Sequence, residues 1–464
     1  MKKLIYTAVM ALMLASCGIW GKYNSETKVP ENAFGQEAAQ YMDGSNKADS
    51  MNVSMGAISW RYVFTDAKLQ ALIETALANN KDLLVAHENV VQSEAALKSS
   101  RLAYLPSLVL GSASTPSVTW TAGGKWDYNT NLYATWQLDF FGQISNRKWA
   151  AKATKQQMED MEQACRASLI AQVANCYYAL LMLDAQLEVV NQSKENWSKT
   201  VEVVYYLKEA GITTEAGAAQ LEANYFDICT QVKNLEAEQN KVRNQLCVLI
   251  GQAPGEISRG KLYEQTFPET FSVGLPASTL LSRPDVKAAE RGLEAAYYNL
   301  HASRSDFFPN IILGGTAGWK NEKEGVFDSP SKFITAAAGA LVASLFDAGK
   351  QRAANEIASS KQTQARLMLE QTMLNAGSEV NSLIIDFQTQ LENIKSFEKE
   401  VESLSRARES TEYLMKYGTT TYLEVLTAQN TLLAAQVNQI ANKAGLLQTV
   451  SSLYQALGGG GSQE

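Results

Sequence analysis

Mostly apolar and mostly polar positions alternate from Tyr128 to Phe140. The mostly apolar set comprises Tyr128, Thr130, Leu132, Ala134, Trp136, Leu138 and Phe140, and the mostly polar set comprises Asn129, Asn131, Tyr133, Thr135, Gln137 and Asp139. A period of two residues places the two sets on opposite faces of a β-strand. The sequence therefore predicts a long strand with one apolar face and one hydrated face.

A very long helix is predicted directly after this strand. More than sixty residues after Gly142 contain no proline. Apolar side chains from Met158 to Leu187 recur at steps of three or four, about 3.6 residues per turn, which indicates nearly straight packing rather than a heptad supercoil. A helix over 143–210 would be roughly 100 Å long at 1.5 Å per residue. This length favours a helical barrel, a coiled-coil rod or a conduit between membranes.

The chain contains the same pattern twice. RLAYLPSLVLGSAS (101–114) recurs as RSDFFPNIILGGTA (304–317), and LDFFGQISNR (138–147) recurs as LFDAGKQRAA (345–354). EAGITTEAGAAQLEAN (209–224) recurs as KYGTTTYLEVLTAQNT (416–431), and CVLIGQAPG (247–255) recurs as SLYQALGGG (452–460). Each copy reads helix, proline, strand, loop, strand, glycine, long helix, glycine turn and long helix. The predicted strands are 107–120, 128–140, 310–320 and 333–346.

The N-terminus is typical of an exported protein. Lys2 and Lys3 precede a short apolar run over 4–15, which is too short to span a bilayer and reads as a secretory signal. The ending Leu14-Ala15-Ser16-Cys17 resembles a bacterial lipobox, in which the cysteine is lipidated and becomes the new N-terminus. The alternative is an ordinary signal with a chance cysteine. Cleavage after residue 16 removes two lysines, so the mature net charge becomes −7 − 2 = −9.

Composition argues against several other classes of function. A net charge of −7 without a basic stripe speaks against nucleic acid as a partner. The remaining cysteines, Cys165, Cys176, Cys229 and Cys247, form no Cys-x-x-Cys motif, and the two histidines, His87 and His301, are far apart. We therefore expect no metal, no cofactor and no enzymatic site, and we interpret these cysteines as small apolar fillers, although two of them could pair in an exported chain.

The four predicted strands have the length of membrane-spanning strands, which need about 9–11 tilted residues. Aromatic residues lie at or near their ends, as in interfacial girdles. Asn129, Asn131, Thr135, Gln137 and Asp139 would then face an aqueous lumen. The alternative is a half-buried soluble hairpin pair. Because four strands cannot close a barrel, the chain must associate, and a hydrated lumen favours about twelve strands or more.

Several motifs together resemble the TolC-like outer-membrane efflux family, within it the lipoprotein branch that serves resistance-nodulation-division (RND) pumps. These motifs are WRYVFTDAKLQALIETALANNKDLLVA (60–86), LPASTLLSRPDVKAAERGLEAA (275–296), WQLDFFGQ, LFDAGKQR, YGTTTYLEVLTAQNTLL and LYQALGGG. The resemblance implies a homotrimer with a twelve-stranded outer-membrane β-barrel on a periplasmic α-helical barrel. It also implies a passive exit duct for small molecules such as drugs, docked to a periplasmic adaptor and an inner-membrane RND pump.

This interpretation divides the chain into a signal peptide (1–16), a lipid-anchored segment (17–60), periplasmic helices, membrane hairpins, a linker and a tail. The periplasmic α-barrel takes 61–106, 143–251, 280–308 and 348–457, and the outer-membrane hairpins take 107–142 and 309–347. The linker between the repeats is 252–279, and a flexible tail is expected over 458–464.

Two sets of residues near the helix turns are singled out for function. The turns form the periplasmic tip, which by resemblance faces the adaptor, and they carry Gly211, Thr213, Thr214, Gly418, Thr419 and Thr420. In the family, acidic residues just after the second turn ring the narrow periplasmic mouth, and the matching positions here are Glu424 and Thr427, where threonine replaces the usual aspartate. Three Glu424 carboxylates around a three-fold axis would attract cations. The alternative is a solvated surface glutamate.

Two other functions remain open at this point. One is an outer-membrane channel for type I protein secretion, and the other is a lipoprotein scaffold without a pore. The lipobox and the Arg283-Pro284-Asp285 motif favour drug efflux over secretion. The polar strand face argues against a scaffold, which has no need of a hydrated lumen.

Overall fold

The computed structural model describes residues 21–25, 59–117, 125–211, 213–267, 277–321, 333–342, 347–417, 420 and 422–460. The predicted signal peptide, Cys17, Gly418 and Thr419 lie outside these residues. All further structural statements concern the described part of the chain.

The elements of the first repeat follow the predicted order. They are α1 (Trp60–Val63), α2 (Ala67–Asn79), α3 (Lys81–Leu102), β1 (Ser107–Ser117), β2 (Lys125–Leu138), α4 (Gln143–Glu209) and α5 (Glu215–Leu249). Side-chain caps begin several of these helices: the Asp66 carboxylate accepts the Lys68 N–H at the start of α2, and the Thr214 hydroxyl accepts the Gly217 N–H at the start of α5. Two short 3₁₀ turns, Leu262–Glu264 and Ala277–Ser282, lie between the repeats.

The second repeat has nearly the same dimensions as the first. Its elements are α6 (Pro284–Ser305), β3 (Asn310–Asn321), β4 (Phe333–Val342), α7 (Lys350–Lys416) and α8 (Tyr422–Ala456). The helices α3 and α6 both have 22 residues, α4 and α7 both have 67, and α5 and α8 both have 35. This equality confirms that the sequence repeat is a repeat of structure.

The four strands form one antiparallel sheet in the order β1-β2-β3-β4. The hairpins β1–β2 and β3–β4 belong to one repeat each, and the pairing of β2 with β3 joins the repeats. Leu132 aligns with Leu110 on one side and with Ala317 on the other, so the apolar positions of neighbouring strands share a face. The strand β2 begins before the predicted residue 128 and ends at Leu138, two residues earlier than expected.

The chain divides into two compact units. One comprises Met1–Thr27, Glu88–Asp160 and Lys287–Gln371 and contains the sheet, and the other comprises Lys28–His87, Met161–Val286 and Thr372–Glu464. In the second unit, α4, α5 and α8 share an apolar core of Val190, Trp197, Val204, Ala218, Leu221, Ile228, Val232, Leu426 and Leu433. Of the described helices, only α4 has a stretch long and apolar enough to suit a membrane, and 61% of that stretch is buried in the chain, as in a core helix.

The prediction of a flexible tail from residue 458 is wrong for its first three residues. Gly458, Gly459 and Gly460 are buried, and the Gly460 N–H donates to the Tyr454 hydroxyl oxygen at 2.8 Å. A Cβ at Gly460 would lie 3.0 Å from the backbone nitrogen of Ala167, so the missing side chain allows this close packing. Residues 461–464 lie outside the described part of the chain.

Candidate functional site

One face of the sheet is apolar and largely uncovered within the chain. Cross-strand register brings together Leu108 with Ala134, Leu110 with Leu132, and Trp136 with Leu313. The side chains of Leu108 and Leu110 are 65% and 74% exposed, and Trp136 is 41% exposed. A contiguous apolar surface of this kind marks an interaction with lipid or protein rather than with water.

The opposite face of β2 carries the polar side chains that the alternation predicts. Thr135 lies opposite Ser107, and their hydroxyls are 2.5 Å apart. Asn131 donates to the Tyr133 hydroxyl oxygen at 3.1 Å. Asn129 occupies the same face by register, opposite Ala113 and Lys320. The predicted division into an apolar and a polar face thus holds along β2, whereas the neighbouring strands place Val109 opposite Tyr133 and Ile312 opposite Gln137.

Asp139 is not a lumen-facing strand residue, contrary to the sequence prediction. The strand ends at Leu138, and the Asp139 carboxylate instead caps α4. It accepts the backbone N–H of Ile144 at 2.9 Å and both the N–H and the hydroxyl of Ser145 at 2.8 and 2.5 Å. A carboxylate is the preferred partner of free N–H groups at a helix start, so this local bond outweighs the strand pattern.

Gln137 lies at the polar end of β2 and links the two repeats. Its amide Nε2 donates to Gln143 Oε1 at 2.7 Å and to Asn310 Oδ1 at 3.2 Å. Gln143 in turn donates to the Asp306 carboxylate. Since Asn310 begins β3, this network fixes the first strand of the second repeat beside the last strand of the first.

A backbone hydrogen bond and an ion pair both stabilise the first helix turn, between α4 and α5. Gly211 has φ of 71°, a conformation that glycine adopts without strain, and its N–H donates to Lys208 O at 2.9 Å. Across the turn Lys208 pairs with Glu215, and the hydrogen bond that its ammonium donates to this carboxylate raises the pKa of Lys208. Thr214 caps α5, and Thr213 is half-buried beside it.

The second turn differs in its side chains. Met415 and Tyr422 occupy the positions that Lys208 and Glu215 hold in the first repeat, so no ion pair can form there. The exposed rings of Tyr413 and Tyr417 lie 4.6 Å apart instead. Of the proposed tip residues here, Thr420 is described, and its hydroxyl donates to the carboxylate of Glu424.

Both proposed gate residues lie on the exposed first turns of α8. Because α8 begins at Tyr422, Glu424 is its third residue, where a carboxylate interacts favourably with the helix N-terminus. Thr427 donates its hydroxyl to Leu423 O at 2.8 Å and is exposed. Both side chains are accessible in the single chain, and neither is used in its apolar core.

A groove of about 430 Å³ lies close to the tip in the second unit. It is lined by Lys199, Thr200, Val203 and Leu207 of α4, by Glu412 and Met415 of α7, and by Val425 and Gln429 of α8. Gln429 donates to Glu412 at 3.1 Å across its rim. The groove thus offers apolar side chains with one charge of each sign at its edge.

Sequence reasoning missed a polar network that orders the linker between the repeats. Asp66 accepts the Tyr177 hydroxyl at 2.5 Å and the Gln265 amide at 2.9 Å, and Tyr177 accepts the Gly260 N–H at 2.8 Å. Partial burial alone would raise the pKa of Asp66, but the hydrogen bonds from Tyr177, Lys68 and Gln265 lower it overall. No local motif marks these residues, since they lie in separate segments of the chain.

The described residues contain no group of three or more histidine, cysteine or acidic side chains placed to hold a metal ion. Cys165, Cys176, Cys229 and Cys247 are free thiols in this structure. Burial raises the pKa of Cys176, and burial together with Asp82 and Glu162 raises that of Cys165. Both effects keep these thiols protonated and unreactive.

Comparisons with known proteins agree on one family. The outer membrane efflux protein family matches residues 72–252 and 275–459. The cation efflux system protein CusC of Escherichia coli O6:H1 is 27% identical to this chain, and the match covers 98% of each. The antibiotic efflux pump outer membrane protein ArpC of Pseudomonas putida is 26% identical to this chain, and the match covers 99% of this chain and 96% of ArpC.

A solved structure shows the same fold. The outer-membrane channel OprN matches with a TM-score of 0.82 at 24% identity, covering 94% of this chain and 99% of that chain. The two ranges of the family match fall on the two structural repeats and together exceed half of the 464 residues. The chain belongs to the outer membrane efflux protein family and is the outer-membrane exit duct of a tripartite efflux system.

Proposed function

We propose that three copies of this chain close one duct, and the open edges of its sheet carry this proposal. β1 and β4 stand at the two ends of the strand order, so each has an outer edge without a neighbour from the described strands. Hydrocarbon offers no hydrogen-bond partner, so these edges must pair with other chains. Three chains of four strands give a barrel of about twelve strands, wide enough for water inside.

The two faces of the sheet assign inside and outside in this barrel. The face with Leu108, Leu110 and Trp136 contacts lipid. The face with Asn129, Asn131, Thr135 and Gln137 lines the lumen. These four side chains are uncharged hydrogen-bonding groups, and the register places Lys320 opposite Asn129 on the same face.

We propose that a lipid on Cys17 adds a second anchor, and the path of the segment just after it supports this. Residues 21–25 run along α6 in the first unit, with Ser25 bonded to Glu290 and Gly21 packed against Tyr297. Tyr23 stacks edge-on against Tyr297, and burial together with Glu290 raises the pKa of Tyr23 to about 12. The segment therefore approaches the sheet end of α6 as it runs back toward its N-terminus.

The reach of the remaining residues fits an anchor at the membrane boundary. Cys17 lies four residues before Gly21, which is at most about 14 Å of extended chain. From Tyr297 to Ser305, the last residue of α6, the rise is roughly 12 Å. The strand β3 begins at Asn310, shortly beyond this point, so the lipid would enter the leaflet in which the strands begin.

We further propose that the helix turns and the groove near them receive the periplasmic adaptor of an RND-type pump. The groove is apolar with Lys199 and Glu412 at its rim, which suits an amphipathic helix with complementary charges. CusC is named for cations and ArpC for antibiotics, yet both are about equally similar to this chain. A shared duct for small molecules, with cargo chosen by the inner-membrane pump, accounts for this.

The competing functions fit less well. A scaffold without a pore does not explain the apolar face of the sheet, which would be exposed to water. Both relatives named above are efflux components, which favours efflux over a type I protein-secretion outlet. The proposed roles are lining, sealing and docking, so no enzymatic step is assigned to the chain.

We propose that Glu424 forms a cation-selective ring at the periplasmic mouth, and conductance in planar bilayers tests both duct and gate. The wild-type protein should form small, cation-preferring pores that divalent cations block, because facing carboxylates attract and bridge them. Glu424→Gln should weaken the cation preference by about fivefold, the scale of one exposed charge interaction.

Glu215→Gln is the matched control because it neutralises one carboxylate on the other hairpin. It should leave selectivity and block unchanged. Wild-type selectivity and block in the Glu424→Gln protein would show that Glu424 is a surface residue. Complete absence of pores in the wild type would contradict the duct itself.

A further inference from the structure

The two repeats use equivalent positions to fix the end of each returning helix. In the first repeat the Asn80 amide donates to Leu249 O, at the end of α5, at 2.9 Å. In the second repeat Arg283 Nη1 donates to Ala456 O, at the end of α8, at 2.7 Å. Residues 80 and 283 differ by 203, and residues 249 and 456 differ by 207, which are the offsets of the sequence repeat.

A glycine completes each of these contacts. Gly251 and Gly458 have φ of 71° and 85° and follow the ends of α5 and α8. A Cβ on Gly251 would lie 2.7 Å from Asn79 O, and one on Gly458 would lie 3.4 Å from the Cα of Arg283. The same clamp is therefore built twice, once around an amide and once around a guanidinium.

Only the second clamp reaches a long helix through its charge. Arg283 Nη2 donates to Glu379 of α7 at 2.7 Å, and its Nε and Nη2 donate to both oxygens of Asp285 at 3.0 and 2.8 Å. The position equivalent to Glu379 in the first repeat is Gln172 of α4. That side chain is exposed and donates to Ser168 on its own helix.

The two long helices also differ in how much apolar surface holds them within the chain. Around Gln172, α4 buries Ala167, Leu169, Ile170, Ala171, Val173, Ala174, Tyr177 and Tyr178. Around Glu379, α7 buries Met373, Ala376, Val380, Ile384 and Phe387. Fewer buried apolar side chains therefore surround Glu379 on α7 than surround Gln172 on α4, so the charged contact supplements a smaller apolar contact surface on α7.

The contact to Glu379 can break without stranding a buried charge. Arg283 has only 8% of its side chain exposed, and an unpaired guanidinium there would be very unfavourable. Asp285 nevertheless keeps its bidentate bonds, and Ala456 O keeps its own, when Glu379 leaves. The Glu379 carboxylate is 41% exposed, so water can solvate it as it moves away.

We propose that Arg283 and Glu379 form a releasable latch that positions α7 and holds the duct in its resting state. Breaking the latch lets α7 turn or tilt at Glu379 while Arg283 stays paired with Asp285. The same helix ends at the tip, with Glu379 roughly 55 Å from Lys416 at 1.5 Å per residue, so a small change at the latch is enlarged at the mouth. The proposal rests on the proposed duct function.

Conductance of full-length protein in planar bilayers tests the latch. Glu379→Gln keeps the size of the side chain but removes the charge, and it should raise the open-channel fraction about fivefold, the lower range of coupling between sites. Asp285→Asn is the matched control, because it removes the other carboxylate and keeps the link to α7. It should lower thermal stability while leaving the open fraction low. Gln172→Ala, at the equivalent position of the first repeat, should change neither.

The outcomes separate the latch from the duct. An unchanged open fraction in Glu379→Gln, with wild-type pores that respond to Glu424→Gln, overturns the latch alone. An equal rise of the open-channel fraction in Asp285→Asn also overturns the latch, because a general loss of stability would then explain both variants. A low open fraction in Glu379→Asp, which keeps the carboxylate, supports the latch. Failure of the wild type to conduct at all overturns both proposals.

Discussion

Single polar residues in the second unit connect segments that are far apart in the sequence. Asp66 lies before α2, Tyr177 lies in α4, and Gln265 lies in the linker between the repeats. Their hydrogen bonds converge on one carboxylate, and these bonds are stronger while that carboxylate is ionised. Asp66 also caps α2, but nothing in the sequence indicated the tyrosine or the glutamine as its partners.

This network predicts a pH-dependent effect of Tyr177→Phe. The folded pKa of Asp66 is lowered, so its contribution is present above the unfolded pKa near 3.8 and is lost as pH falls through the folded value. Removal of the Tyr177 hydroxyl should destabilise the protein by about 1–2 kcal/mol at neutral pH and by less in acid.

Thermal unfolding of the detergent-solubilised protein between pH 3 and pH 7 measures this difference. Tyr178→Phe is a suitable control because Tyr178 does not belong to the network. An identical loss of stability for Tyr177→Phe at both ends of the pH range would contradict the role of the Asp66 charge.

At the scale of elements, each strand-to-helix junction contains an aspartate, but at different positions of the repeat. Asp139 lies three residues before Gly142, and Asp347 lies two residues before Gly349. Asp139 accepts N–H groups of Ile144 and Ser145, and Asp347 accepts those of Gly349 and Gln351. Capping of the long helix is therefore retained although the residue that provides it has shifted.

Loss of the first cap should loosen the start of α4. We expect Asp139→Ala to destabilise that helix end by about 1 kcal/mol, because two backbone N–H groups lose their acceptor. Hydrogen exchange of the backbone amides at residues 143–146 should become faster while the middle of α4 stays protected. Asp139→Asn, which keeps one acceptor oxygen, should have a smaller effect. Equal exchange in wild type and Asp139→Ala would contradict the capping role.

For the whole molecule, the unpaired outer edges of β1 and β4 are the feature that requires association with further chains. The strands β2 and β3 each pair with a neighbour on both sides. The strands β1 and β4 each pair on one side only, which leaves the two outer edges of the described sheet open. We expect the native mass of the detergent complex to equal three chains. A mass of one or two chains would rule out the barrel of about twelve strands.

The lipid anchor is tested on the whole chain as well. Metabolic labelling with palmitate should mark the wild-type protein, and Cys17→Ala should abolish the label because no other cysteine follows a lipobox. The four remaining cysteines serve as an internal control, since all are still present in this variant. Label retained in Cys17→Ala, or an unmodified mature N-terminus elsewhere, would contradict the anchor.

Local periodicity determined much of this protein before any contact was known. Alternation along β2 set its two faces, the spacing of apolar residues set the long helices, and the internal repeat set equal lengths for the helices of both copies. Each of these is a property of one segment and of the environment that its pattern suits.

Only the tertiary structure decided how the segments meet. It paired β2 with β3, turned Asp139 from a strand residue into a helix cap, and buried Gly458, Gly459 and Gly460. It also brought Arg283 to Glu379, some hundred residues further along the chain. Periodicity within a segment carries no information about such partners, because their distance is set by the packing of the whole unit.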